Sequence, residues 1–118
     1  MILEENPEIW LVTESELDGL LLNQEAADLV TVLALGSATA HPDPDTFHAL
    51  KRARLILFNL DYDDAGKTAA RRWMQTFRTV KPWPTPTEKD PGDYHAAGGN
   101  IRAWITAGIH QHSERGTP

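Results

Sequence analysis

Leu55-Ile-Leu-Phe-Asn-Leu-Asp61-Tyr-Asp63-Asp64-Ala-Gly66-Lys67 is a nearly continuous apolar run that stops at three carboxylates and then a glycine. An apolar segment of strand length that does not alternate is the pattern of a strand buried on both faces of a parallel sheet, because helices cover both sides of such a sheet. The carboxylates then stand at the strand's carboxyl end, where ligands bind in open α/β sheets. Asp61 and Asp63 are two residues apart and project to the same side for as long as strand geometry persists. Two like charges held that close repel, and a divalent cation between them removes the penalty. The pair therefore reads as a divalent-metal site.

Outward from this run, strands and helices alternate. Glu8 to Thr13 is β-prone, and Ser15 to Ala27 carries Leu17, Leu20, Leu21 and Leu22 among polar residues, which predicts a strand followed by a helix. Leu29 to Leu35 is a second strand ending at Gly36-Ser37, and Pro44 to Arg52 is a short helix with proline in its first turn. After the third strand, Asp63 or Asp64 is placed to cap a helix reaching about Phe77, with Ala69, Ala70, Trp73, Met74 and Phe77 on its buried side. Arg78 to Trp83 is a fourth strand, and the prolines from Pro82 to Pro86 make an extended connection. Asp93 to Ala97 and Asn100 to Ile109 are helices split by Gly98-Gly99. The expected fold is a three-layer α/β domain over residues 1–109, with a central, mainly parallel four-stranded sheet, followed by a polar tail over 110–118.

Composition narrows the chemistry. The chain has 118 residues, 41% of them apolar, enough for one domain with a real core. A formal net charge of −6 argues against holding nucleic acid by bulk electrostatics, since such binding rests on Lys and Arg neutralising phosphates. With no cysteine, disulfides, thiolate zinc sites and cysteine nucleophiles are excluded, leaving carboxylate or metal chemistry. No apolar run reaches membrane-spanning length, and the acidic N-terminus lacks a signal peptide's basic flank; a cytoplasmic protein with no membrane partner is expected.

Three acidic clusters follow strands: Glu14 with Asp18, Asp61 with Asp63, and Asp90 with Asp93. Glu14 and Asp18 are four residues apart and share one helix face. Parallel strands present their carboxyl ends to one side, so the clusters can converge. The competing reading is that acids after strands are helix N-caps, stabilised by the macrodipole and the orphan amides. It is weaker for all three clusters together, because one acid caps a helix and this chain supplies pairs. Lys67, in the first turn after Gly66, is placed to touch a phosphate beside the helix amides, or is simply a solvated lysine. Gly36-Ser37 would let a phosphate approach the backbone, or is a plain turn. Trp10, Trp73 and Trp104 read as core; Trp83, among prolines, reads as cover for a sheet edge or as a stacking platform for a base.

Thr13-Glu14-Ser15-Glu16-Leu17-Asp18, Ala34-Leu35-Gly36-Ser37-Ala38, Asp61-Tyr-Asp63-Asp64-Ala65-Gly66-Lys67-Thr-Ala-Ala70 and Lys89-Asp90-Pro-Gly-Asp93-Tyr94, in this order and spacing, resemble the successive motifs of a TOPRIM domain. The resemblance covers roughly Trp10 to Ile109 and is nearest to DNA primases and primase-helicases of phage and mobile elements. It departs from the family at Ser15, where glycine usually follows the first glutamate, and at Asp90-Pro-Gly-Asp93, where D-P-D is the commonest form.

The resemblance implies a nucleotidyltransferase domain for RNA primer synthesis in DNA replication. Glu14 would be a metal ligand or acid/base, Asp61 and Asp63 the paired ligands of Mg²⁺ (or Mn²⁺ as substitute), and Asp18, Asp90 and Asp93 further acids completing the site. Its implied partners are nucleotides and a single-stranded DNA template held through neighbouring domains, with a zinc-binding domain and a helicase in the same assembly. Two other readings stay open: nuclease- or topoisomerase-type phosphoryl transfer on the same acids, and a non-catalytic metal- or nucleotide-binding interaction module.

Overall fold

β1 (Ile9–Thr13), β2 (Thr31–Ala34) and β3 (Leu55–Asn59) are buried at every residue, as a sheet covered on both faces requires. Together with β4 (Val80–Pro82) they form one sheet in the order β2-β1-β3-β4, every neighbouring pair parallel. The computed structural model describes residues 8–60 and 63–113. Asp61, half of the expected metal pair, therefore lies outside the described residues.

Strand alternation divides the core in two. Trp10 and Val12 of β1, Leu33 of β2, and Ile56 and Phe58 of β3 face one layer, built from α2 (Pro44–Lys51) and α3 (Asp64–Thr76). Ile9, Leu11, Val32, Leu55 and Leu57 face the other, built from α1 (Glu16–Ala26) and α5 (Ile101–Ser113), with the short α4 (Pro91–Ala96) beside them. The first layer is fastened by aromatic contacts: ring centroids lie 5.0 Å apart for Phe58–Trp73, 5.1 Å for Trp73–Phe77 and 5.2 Å for Phe47–Phe77. Such pairs contribute about 0.5–1.5 kcal/mol each beyond area burial.

The connectivity fixes where a ligand can enter. From β1 the chain steps to β2 on one side, then passes over β1 to β3 and continues outward to β4. The direction of winding thus reverses between β1 and β3, and loops leaving their carboxyl ends diverge and open a crevice there. In register, Thr13 at the end of β1 lies opposite Asn59 at the end of β3. Glu14 and Leu60, the next residues along the two strands, therefore leave the sheet from neighbouring positions.

Some boundaries differ from expectation for identifiable reasons. β4 spans only Val80–Pro82 of the expected Arg78 to Trp83, and it holds Pro82 because it is an edge strand with one neighbour, which tolerates a missing N–H. α4 begins at Pro91 because Asp90 caps it and proline suits the first helical position. α5 continues past Ile109 to Ser113, and the ring of His112 stands edge-on to Trp83 at 5.6 Å, which holds part of the expected tail against the domain. Met74, expected on the buried side of α3, is exposed.

Candidate active site

The site begins where β1 ends. Thr13 is buried, and its carbonyl accepts from Leu35 N at 3.0 Å, while the carbonyl of Glu14 accepts from Gly36 N at 2.7 Å. Glu14 is thereby held against the chain leaving β2, with its side-chain Oε1 shielded from solvent. Gly36 turns away with φ +88°, a conformation that favours glycine, and Ser37 Oγ lies 3.3 Å from Thr39 Oγ1. The Gly36-Ser37 turn is exposed and adjoins Glu14 through the backbone.

Ser15, in place of the usual glycine, is the N-cap of α1: its Oγ accepts from Asp18 N at 3.0 Å from an ordinary extended backbone. Neither Glu14 nor Asp18 therefore caps its own helix. Asp18 reaches across instead, and its Oδ1 accepts from Gly92 N at 3.0 Å in the first turn of α4. Asp90 caps α4, its Oδ1 accepting from Asp93 N at 2.8 Å. Glu14, Asp18, Asp90 and Asp93 all line one open groove of about 390 Å³, a size ordinary for a small-ligand site. Two acidic clusters separated by some seventy residues of sequence (Asp18 and Gly92 differ by 74 positions) thus meet between α1 and α4.

The third cluster stands at the next strand end. Asp63 is the N-cap of α3, with Oδ1 accepting from Gly66 N at 2.7 Å. Lys67 is exposed on the same first turn and lines a small, largely apolar notch with Leu60, Gly66 and Trp83. Asp63 does not line the groove that holds Glu14. Among the described residues no three acids or histidines stand close enough to hold a metal ion together.

Capping accounts for one oxygen on each of Asp18, Asp63 and Asp90, a wider use of it than the pairing of acids predicts. An ionised carboxylate has two oxygens and about four lone-pair positions, so a single capping bond does not by itself exhaust it as a ligand. Glu14 differs in kind, because it is the N-cap of none of the helices α1 to α4 and its backbone is tied to the chain leaving β2. The donors are all hard oxygens, which fits Mg²⁺ or Mn²⁺ and no softer metal.

Two residues the motifs do not single out shape this end of the sheet. Asn59 is buried at the close of β3 and its Nδ2 donates to Trp83 O at 3.0 Å, tying the strand end to the proline-rich connection. A single amide in an otherwise apolar run was the sequence signal. Gly92 is the other: a Cβ built there would stand 2.8 Å from Asp18 Oδ1, so glycine permits the carboxylate's close approach. Trp83 is a packing residue, its Nε1 donating to Trp104 O while Trp104 Nε1 donates to Pro84 O, both at 2.9 Å. His95 is exposed and outside the groove lining.

A sequence model of the family described as Toprim-like matches residues 11–95. Among solved structures, the primase fragment of the bacteriophage T7 primase-helicase protein shares the fold with a TM-score of 0.65 at 23% identity, covering 85% of this chain and 43% of the other. A chain in the structure of the bacteriophage T7 lagging-strand DNA polymerase interacting with primase domains, bound to an RNA/DNA hybrid and dTTP, matches with a TM-score of 0.60 at 22% identity, covering 83% of this chain and 53% of its own length. The chain thus spans about half the length of these solved relatives. No curated protein matches it.

Proposed function

The chain belongs to the Toprim-like family, and from that premise we propose that it is the Mg²⁺-dependent catalytic domain of a primase-like protein, performing nucleotidyl transfer in RNA primer synthesis. The observation that carries this reading is the pairing of Thr13 with Asn59, which brings the ends of β1 and β3 together where the sheet's winding reverses, with Glu14 next in sequence after the one and the acidic run soon after the other. The fold shared with the bacteriophage T7 primase fragment supports it.

In this reading Glu14, Asp61 and Asp63 hold Mg²⁺, and Asp18 and Asp90 complete the acidic wall. The ion, when bound, supplies the positive charge that in-line displacement at a phosphorus needs on its attacking and leaving oxygens. Glu14, its carbonyl held by the Gly36 amide on the β2 side, acts as ligand or as acceptor of the 3′-hydroxyl proton. Lys67 and the α3 amides meet phosphate oxygens, and Gly36-Ser37, without bulk, leaves room for them beside Glu14. Single-stranded template is held mainly through neighbouring domains, and a helicase partner follows from the likeness to a primase-helicase.

The test is primer synthesis on single-stranded DNA by the full-length parent protein. Asp61→Asn and Glu14→Gln should each abolish primers with the melting temperature unchanged; primers made at the normal rate by either variant would refute the assignment. A second reading, a non-catalytic module, is favoured by the capping bonds of Asp18, Asp63 and Asp90. It predicts a full-length parent that makes no primers even with Mg²⁺ or Mn²⁺ bound, whereas the catalytic reading requires metal-dependent primers.

A further inference from the structure

The end of the sheet opposite the acids carries a second feature. Two turns lie side by side there, one joining α2 to β3 and the other joining α3 to β4, and between them runs an open groove of about 510 Å³. Its floor is apolar, with Leu50, Ala53 and Phe77 buried, and its rim carries Lys51, Arg52, Arg54 and Arg78. Sequence proximity explains only the first three; Arg78 is brought to them by the fold, because β3 and β4 are adjacent and parallel.

Part of this charge has a structural explanation. Lys51 Nζ donates to Thr76 O at 2.9 Å, sits over the Phe47 and Phe77 rings, and so closes the end of α3. Arg54 approaches Glu8 at 3.9 Å. The C-termini of α2 and α3 both face the groove, and each helix end is equivalent to about half a negative charge. Set against these two half charges and the one carboxylate of Glu8, the four cations leave the groove positive by roughly two charges. Arg52 and Arg78 are exposed and have no carboxylate partner among the described residues.

We propose that this groove is a second polyanion site, binding the phosphodiester backbone of a single-stranded nucleic acid without reading its sequence. The groove lies about 16 Å from the acidic edge, the length of five strand residues at roughly 3.3 Å each, so it is separate from the site of nucleotidyl transfer. Guanidinium forks suit phosphate oxygens, and no exposed aromatic lines the groove, so contact is with the backbone and not the bases.

The test uses this chain, fluorescein-labelled oligothymidylate and fluorescence anisotropy between about 20 and 200 mM salt with no divalent metal, so it does not depend on the catalytic reading. Each phosphate contact on a single strand contributes about −0.7 to the slope of log K against log salt, and engagement of two to four cations predicts a slope between about −1.4 and −2.8. Arg52→Glu and Arg78→Glu should each weaken binding several-fold and flatten the slope by about 0.7. Arg71→Glu, which makes the same change in net charge on an exposed face of α3 outside the groove, should leave both nearly unchanged. Equal losses with Arg71→Glu, or no loss with the groove variants, would overturn the proposal. Displacement by polyglutamate at lower concentration than by oligothymidylate would also overturn it, marking the groove as a docking surface for acidic protein. If a charge reversal unfolds the chain, Arg52→Gln and Arg78→Gln make the same comparison.

Discussion

Asp63 caps α3, and a pair of substitutions separates that role from the proposed one of metal ligand. Its Oδ1 accepts from Gly66 N, and asparagine caps a helix about as well as aspartate whereas alanine does not. Asp63→Asn should keep stability within a few tenths of a kcal/mol, while Asp63→Ala should lower it by about 1 kcal/mol. Both should lose metal-dependent activity in the parent protein. Chemical denaturation beside primer synthesis reads the two effects apart, and activity retained in Asp63→Asn would leave the residue a cap and nothing more. Gly92 offers the complementary case, because a methyl group there must displace Asp18 Oδ1 from 2.8 Å. Gly92→Ala should break the Asp18–Gly92 bond and loosen α4 from α1, seen as faster amide exchange at residues 92 and 93; exchange unchanged from the parent chain would mean that the carboxylate is not anchored there.

At the scale of elements, α2 and α5 show what charge and packing each contribute. Asp43 caps α2, and the hydrogen bond from Thr46 N, at 2.8 Å, holds its carboxyl below the ordinary 3.8. The bidentate hydrogen bonds from Arg102 do the same for Asp28, fastening α5 to the turn after α1. A carboxyl depressed on folding stabilises the fold at pH above its unfolded value, and that contribution is lost as pH falls through the lower folded value. Urea melts from pH 5 downward should therefore show stability falling below about pH 4, with a shallower fall in Asp43→Asn; parallel profiles would remove Asp43 from the cause. Gly108 is the packing case, since a Cβ there would stand 2.7 Å from Trp83 Cε2. Gly108→Ala should cost about 1–3 kcal/mol as overpacking, and through the Asn59–Trp83 bond it should also disturb the acidic edge. Strands and helix order were legible because double-sided burial and terminal caps are local signals, as β3 and Asp63 illustrate. The rest was not. Leu17 and Leu20 sit at helical spacing yet are 79% and 53% exposed, and only tertiary packing decides which leucines a helix buries. Asp18 capping α4 and Arg78 joining Arg52 are likewise contacts across the fold, which spacing along the chain does not encode.

Across the whole molecule, charge is sorted by sheet edge. Carboxylates gather at the carboxyl ends of β1 and β3, while Lys51, Arg52, Arg54 and Arg78 gather at the amino ends of β3 and β4. A polyanion is thus repelled at the edge where chemistry would occur unless cations occupy it, and attracted weakly at the other. The net charge of −6 sets the balance of these terms at physiological salt, where a Debye length of about 8 Å screens long-range attraction and leaves only close contacts. With at most four cations in one patch, the chain alone should bind single-stranded DNA no more tightly than roughly 10⁻⁴ M under those conditions, the weak end of non-specific affinity. It should bind divalent metal but make no primers, because its solved relatives carry this fold within chains about twice as long. Anisotropy at physiological salt and a labelled-nucleotide primer assay on this chain are the measurements. Micromolar binding there, or primers from the chain by itself, would place the template-handling surface within these residues and contradict the proposed division between an edge that holds metal and a grip supplied from outside.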